Sequence, residues 1–135
     1  MIPAVLDCGV LVSAIGWGGH PRACLQLAAS GQVRLCVTPD VWAEYDARVP
    51  AVLAAKRPGV DPRPVLDWLL TVAWFVDPAP LGKPRSRNPQ DDPYLAAALS
   101  ARAILVTYDQ DLLDLGKPFG IEILRPSAFL KRFTA

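Results

Sequence analysis

Short apolar segments that are typical of β-strands alternate with segments of helical periodicity along most of this chain. The strand-like segments are 4–6, 33–37, 74–76, 104–106 and 121–124. The helix-like segments are 10–14, 21–29, 40–48, 50–56, 63–72, 94–101, 110–115 and 126–133. Such alternation is expected where each strand is followed by helices that return the chain to the next parallel strand. The sequence therefore predicts an α/β fold around a central parallel sheet.

Length and composition restrict the class of protein further. A chain of 135 residues is long enough to bury its own core, so we expect a single domain over residues 1–135. With 52% hydrophobic and 20% charged residues, and with no apolar run of membrane-spanning length, we expect a soluble protein and no membrane segment. A net charge of +1 excludes a polybasic protein but leaves room for a local basic strip.

The number and spacing of the three cysteines indicate in which cellular compartment the protein is expected. Cys8, Cys24 and Cys36 are odd in number and show no CxxC spacing, which argues against a disulfide framework and against a zinc site. Asp7 interrupts the first apolar segment, and no signal peptide is visible. We therefore expect a cytoplasmic protein.

Acidic residues follow two of the strand-like segments. Asp7 comes directly after segment 4–6, while Asp109 and Asp111 follow segment 104–106. The carboxyl ends of parallel strands meet at one edge of a sheet, where ligands bind. Glu44 and the pair Asp91-Asp92 lie in helical contexts that can reach the same edge. Each acid alone is explained by a turn, a helix cap or a solvated surface, but together they predict a pocket for a hard cation such as Mg²⁺ or Mn²⁺.

Four motifs carry a resemblance to a known family. They are Val5–Ala14, Trp42–Tyr45, Arg87–Leu95 and Leu105–Leu113. In this order they resemble the PIN-domain family of metal-dependent ribonucleases, in particular the toxin-like branch of bacterial toxin-antitoxin systems. The resemblance implies a single-domain, three-layer α/β/α sandwich with a central parallel sheet of four to five strands. It also implies an endoribonuclease that cleaves single-stranded RNA, forms a homodimer and is neutralised by a cognate antitoxin protein.

Carried over residue by residue, the resemblance gives a candidate site. Asp7, Glu44, Asp92 and Asp109 are the expected catalytic acids. Three of them, Asp7, Asp92 and Asp109, are expected to hold Mg²⁺ or Mn²⁺, while Glu44 acts through water or orients the nucleophile. The residues expected around these acids without binding the metal directly are Asp91, Thr107, Asp111 and Ser13. The residues expected to contact RNA are Lys83, Arg85 and Arg87, in a Pro-rich loop over 77–93, and Trp17 in a glycine turn.

The chain departs from the family pattern beside the first acid. Cys8 and Gly9 stand where the family has Thr and Asn, and Asn88 and Gln90 replace acids of the branch. Fewer hydrogen-bonding side chains then surround the site. This leaves a second function open, that of a catalytically impaired module that binds RNA or a protein partner without cleavage.

Overall fold

The fold is described by a computed structural model over residues 1–86 and 88–133. Within these residues the chain forms five strands: β1 (Ile2–Leu6), β2 (Val33–Val37), β3 (Trp74–Phe75), β4 (Ile104–Val106) and β5 (Ile123–Leu124). They pair in parallel in the order β3-β2-β1-β4-β5. The predicted α/β class and the parallel sheet of four to five strands are thus confirmed.

The described residues also form seven α-helices, six between the strands and one after β5. They are α1 (Cys8–Gly16), α2 (Gly19–Ala29), α3 (Pro39–Lys56), α4 (Arg63–Val72), α5 (Asp92–Ala101), α6 (Gln110–Leu113) and α7 (Pro126–Leu130). Among residues 1–86 and 88–133, none of these helices is both long enough and apolar enough to span a membrane.

The central strand β1 places the first acid. Its last three residues, Ala4, Val5 and Leu6, are buried, as expected for a strand that has a neighbour on each side. Leu6 lies opposite Val106 of β4, and the backbone amide of Asp7 donates to the Val106 carbonyl at 3.0 Å. Because the two strands end side by side, the acids that follow them are brought to one edge of the sheet.

Helix α3 differs from its prediction. The expected break between 40–48 and 50–56 is wrong, since α3 runs without interruption through Pro50. A proline inside a helix lacks the amide for one hydrogen bond and crowds the preceding turn. Here the residues around it, Val49 and Leu53, are fully buried in the core, and this packing holds the helix together. Residues 44 to 56 consequently share one continuous helix.

The segment before α5 also differs from its prediction. A short 3₁₀ turn, Pro89–Asp91, precedes α5, and the helix begins at Asp92, two residues before the predicted segment 94–101. The Asn88 side chain accepts from the Gln90 amide at 3.1 Å and fixes this turn. The turn decides in which directions the two neighbouring acids point.

Candidate active site

One pocket of about 780 Å³ opens at the carboxyl edge of the sheet. The acids that line it are Asp7, Glu44, Asp91 and Asp109. The other side chains and backbone around it belong to Cys8, Gly9, Val12, Ser13, Trp17, Arg48, Ala51, Val52, Ala55, Lys56, Asn88 and Gln90. The acids come from four separate parts of the chain, so the fold itself creates their proximity.

Asp7 stands at the N-cap of α1, but its carboxylate forms no capping hydrogen bond. Instead the Thr107 hydroxyl donates to Asp7 Oδ2 at 2.7 Å. Burial raises the pKa of Asp7, and the negative charges of Asp109 and Glu44 raise it further, against the hydrogen bonds from Thr107 and the Cys8 amide. The carboxylate is therefore held in place while its charge is only partly compensated.

Asp109 combines a structural role with a place in the pocket. Its Oδ1 accepts from the backbone amide of Asp111 at 2.9 Å and caps α6. Its own amide donates to the Thr107 hydroxyl at 2.9 Å, so Thr107 connects the two strand-end acids. Asp111 is half-buried and does not line the pocket.

The third acid in the pocket is Asp91. Asp92, which the motif indicated, accepts hydrogen bonds from the backbone amides of Arg85 (3.2 Å) and Ser86 (2.9 Å) and fastens the preceding loop. Asp91 is only 7% exposed, accepts from the Ser86 hydroxyl at 3.2 Å and faces the pocket. Asp91 and not Asp92 therefore lines the pocket, because the 3₁₀ turn points the two side chains to different sides, and the expected metal-binding role of Asp92 stays a prediction.

The environment of Asp91 opposes its ionisation. Burial raises its pKa to about 7, together with a hydrogen bond to Asp109 and the negative charges of Asp109 and Asp7. The hydrogen bond from Ser86 acts in the opposite direction. Two carboxyl groups this close favour sharing a proton or binding a cation.

Glu44 faces the pocket from α3. The Tyr94 hydroxyl of α5 donates to Glu44 Oε1 at 2.9 Å, and the neighbouring Tyr45 hydroxyl donates to the Leu6 carbonyl at the end of β1. Burial raises the pKa of both phenols well above the usual value, so both remain neutral donors. The Tyr45 bond fixes α3 relative to β1, which ends directly before Asp7, and the Tyr94 bond fixes α3 relative to α5.

The residues that depart from the family pattern are small and neutral. Burial raises the pKa of the Cys8 thiol to about 12, so the thiol is neutral at pH 7. Gly9 is exposed at the rim, and Ser13 lines the pocket one helical turn further along α1.

The part of the Pro-rich loop that carries Lys83 and Arg85 lies apart from the pocket. Arg85 donates to the Leu81 carbonyl through Nε (3.1 Å) and Nη2 (2.9 Å), and its guanidinium lies 4.8 Å from the centre of the Phe119 ring. Neither Lys83 nor Arg85 lines the pocket. Arg87 lies outside the described residues.

Trp17, in contrast, lies at the pocket and is 51% exposed. The Arg57 guanidinium covers one side of its ring at 5.4 Å from the centre, and Arg57 Nε donates to the Gly16 carbonyl at 3.0 Å. These contacts hold the indole at the rim.

Two further pocket residues, Arg48 and Lys56, were not among the predicted site residues. Arg48 lies four positions after Glu44 on α3, about one turn further along and on the same side of the helix. Lys56, twelve positions after Glu44, is turned by about 120° around the helix axis and still lines the pocket. The spacing of Glu44 and Arg48 was a usable signal. Lys56 was hidden by the expected helix break at Pro50.

The donor set suits a hard divalent cation. Among the described residues that line the pocket there are four carboxylates and no imidazole, a set of ligands that favours hard cations. A bound cation would offset both the cost of burying the charged carboxylates and their mutual repulsion, which together raise the pKa of Asp7 and Asp91. Within residues 1–86 and 88–133 no three acidic, cysteine or histidine side chains are gathered closely enough to enclose an ion. Mg²⁺ keeps several waters, so one or two direct carboxylates suffice.

Comparison with known proteins agrees with this architecture. The crystal structure of VapBC2 from Rickettsia felis bound to a DNA fragment from their promoter has a similar fold, with a TM-score of 0.63 and 18% identity over 90% of this chain and 97% of that chain. PAE2754 from Pyrobaculum aerophilum gives a TM-score of 0.60 and 20% identity over 97% of this chain and 88% of that chain. No curated protein sequence matches significantly. The PIN domain profile matches residues 3–111, and the chain therefore belongs to the PIN domain family.

Proposed function

We propose that this chain is a divalent-metal-dependent endoribonuclease that cleaves single-stranded RNA. The observation that carries the proposal is the meeting of Asp7, Glu44, Asp91 and Asp109 in one pocket of a PIN domain, a family whose members are generally nucleases. The pocket of about 780 Å³ is open enough for a polymer backbone to enter.

Each acid has a proposed task. Asp7, Asp91 and Asp109 would hold Mg²⁺ or Mn²⁺, one or two of them directly and the rest through water, and the bound ion would lower the pKa of a water and offset charge on the phosphate. Glu44 approaches from the opposite wall, fixed by the Tyr94 hydroxyl, and would orient the attacking water and take up its proton. Thr107 would keep the Asp7 carboxylate in its binding orientation through the bond at 2.7 Å.

The partner proposals rest on the motif resemblance. The toxin-like motifs, together with the fold shared with the VapBC2 complex, support a role as the toxin of a toxin-antitoxin pair with a cognate antitoxin protein. We further propose a homodimer, as the resemblance implies. Three buried free cysteines support a cytoplasmic location, where thiols stay reduced.

A metal-titrated cleavage assay tests the activity. Single-stranded RNA should be cleaved in Mn²⁺ or Mg²⁺ and left intact in EDTA, and Asp7→Asn should lose most of the activity. If Asp7→Asn cleaved as fast as the parent, the metal assignment would be refuted. RNA binding without cleavage at every metal concentration would favour the alternative, a binding module without activity.

A further inference from the structure

The wall of the pocket that faces the strand-end acids is formed by α3. Beyond Glu44 it presents to the pocket first Arg48, one turn further along, and then Lys56 at the last residue of the helix. At a rise of about 1.5 Å per residue, Arg48 lies roughly 6 Å from Glu44 along the axis, and Lys56 lies roughly 12 Å beyond Arg48. The two cations thus extend from the acidic centre to the rim of the pocket.

Both cations are available to a ligand. Arg48 and Lys56 are exposed, and within residues 1–86 and 88–133 neither has a hydrogen-bond or ion-pair partner. Other arginines near them are engaged, since Arg63 pairs with Asp46 at 3.1 Å and Arg57 donates to the Gly16 carbonyl. Free cations on a helix that lines a pocket are suited to bind phosphate groups.

Positive groups at an acidic pocket help it to attract a negatively charged phosphate backbone. A pocket with four acids repels a phosphate backbone wherever a cation does not offset the charge. The net charge of the chain is only +1, so attraction must come from local positive groups. Arg48 also acts on the inside of the pocket, where its charge lowers the pKa of Cys8 against the effect of burial.

We propose that Arg48 and Lys56 form a phosphate-binding track along α3 that positions RNA on one side of the cleavage site. This inference rests on the proposed function, because it takes the acidic pocket as the place of cleavage. It assigns RNA positioning to α3, in place of the loop that carries Lys83 and Arg85.

Equilibrium RNA binding measured in EDTA tests the track separately from cleavage, because the proposed cleavage requires a divalent metal. The test variant is Arg48→Gln with Lys56→Gln, since glutamine removes the charge and keeps a good helix former. The matched control is Arg102→Gln with Lys117→Gln, which removes one Arg and one Lys from segments that precede β4 and β5, at the opposite edge of the sheet. The probe is a fluorescent single-stranded RNA, and the affinity is measured by anisotropy over a series of salt concentrations.

For single strands each phosphate contact contributes about 0.7 to the slope of log K against log salt concentration. The slope of the test variant should therefore be shallower by about 1.4, while the control keeps the parent slope. The charge-conserving pair Arg48→Lys with Lys56→Arg should retain the parent slope as well. Circular dichroism confirms that each variant is folded.

The outcomes separate this inference from the proposed function. If the parent cleaves RNA and the test variant keeps the parent slope, the track is refuted while the nuclease stands. If the parent never cleaves RNA but the salt dependence of RNA binding becomes shallower in the test variant alone, the track is supported and the proposed nuclease activity is refuted. An equal loss of slope in the control would show a general charge effect and overturn the track, and a parent that does not bind RNA would refute both.

Discussion

Asp91→Asn should stabilise the metal-free protein at alkaline pH and abolish metal-dependent cleavage. In the parent, the Asp91 carboxyl lies buried beside Asp109, and its pKa is raised from 3.8 to about 7. Asparagine is nearly the same size, can still accept from the Ser86 hydroxyl and carries no charge. The substitution thus removes the repulsion with little change in packing.

The sign and size of the effect follow from the raised pKa. A carboxyl whose pKa is higher in the folded state holds its proton more tightly when folded, so it stabilises the fold less and less as the pH rises from about 4 to about 7. At about 1.36 kcal/mol per pKa unit the full difference is at most ~4 kcal/mol. Because the pocket opens to solvent, which screens the charges, we expect about 2 kcal/mol above pH 7.

Urea unfolding in EDTA between pH 4 and pH 8 measures this difference. At pH 8 the free energy of unfolding of the variant should exceed that of the parent by about 2 kcal/mol. Toward pH 4 the free energies of unfolding of the two proteins should become equal. Adding Mn²⁺ should reverse the order, because the parent gains binding free energy that the variant lacks.

Asp92→Asn is the matched control. It weakens the hydrogen bonds that Asp92 accepts from Arg85 and Ser86, so it should lower the free energy of unfolding by about 1 kcal/mol with no gain at alkaline pH. Its metal-dependent cleavage should remain. The placement of Asp91 would be refuted by an unchanged stability of Asp91→Asn at pH 8, or by the same gain in Asp92→Asn.

Three further substitutions test the surroundings of the site. Thr107→Val removes a bond that lowers the pKa of Asp7, so the rising limb of the pH-rate profile should move to higher pH, and an identical profile would count against the role of Thr107. Tyr45→Phe leaves the buried Leu6 carbonyl without this donor and should lower the free energy of unfolding in urea by about 1–3 kcal/mol; equal stability would contradict this. Trp17→Ala should weaken RNA binding by about 1–3 kcal/mol if a base stacks on the indole, while unchanged anisotropy titrations would exclude the contact.

The parallel sheet was predictable because its strands are short apolar segments with clear boundaries. The buried residues Val5 and Leu105 lie in such segments, and the acids follow directly after them. The strand ends alone therefore indicated that Asp7 and Asp109 would meet. The strands at the two edges, β3 and β5, are shorter than expected, since each has a neighbour on one side only.

Other features depended on tertiary packing that local patterns do not encode. Pro50 predicts a helix break on propensity alone, but the buried Val49 and Leu53 hold the helix together. The choice between Asp91 and Asp92 depends on a single 3₁₀ turn, and adjacent residues in a turn point to different sides. Both features concern the pocket directly, because the unbroken helix also brings Lys56 to its rim.

The most direct test of the shared acidic site is anomalous diffraction from crystals soaked in Mn²⁺. The account predicts an anomalous peak in the pocket within ligand distance of one or more of Asp7, Asp91 and Asp109, with Glu44 on the facing wall. The same soak of an Asp91→Asn crystal should give a weaker peak or none. A peak beside Asp92 and away from the pocket, or an empty pocket at saturating Mn²⁺, would contradict the claim that these acids bind one metal centre.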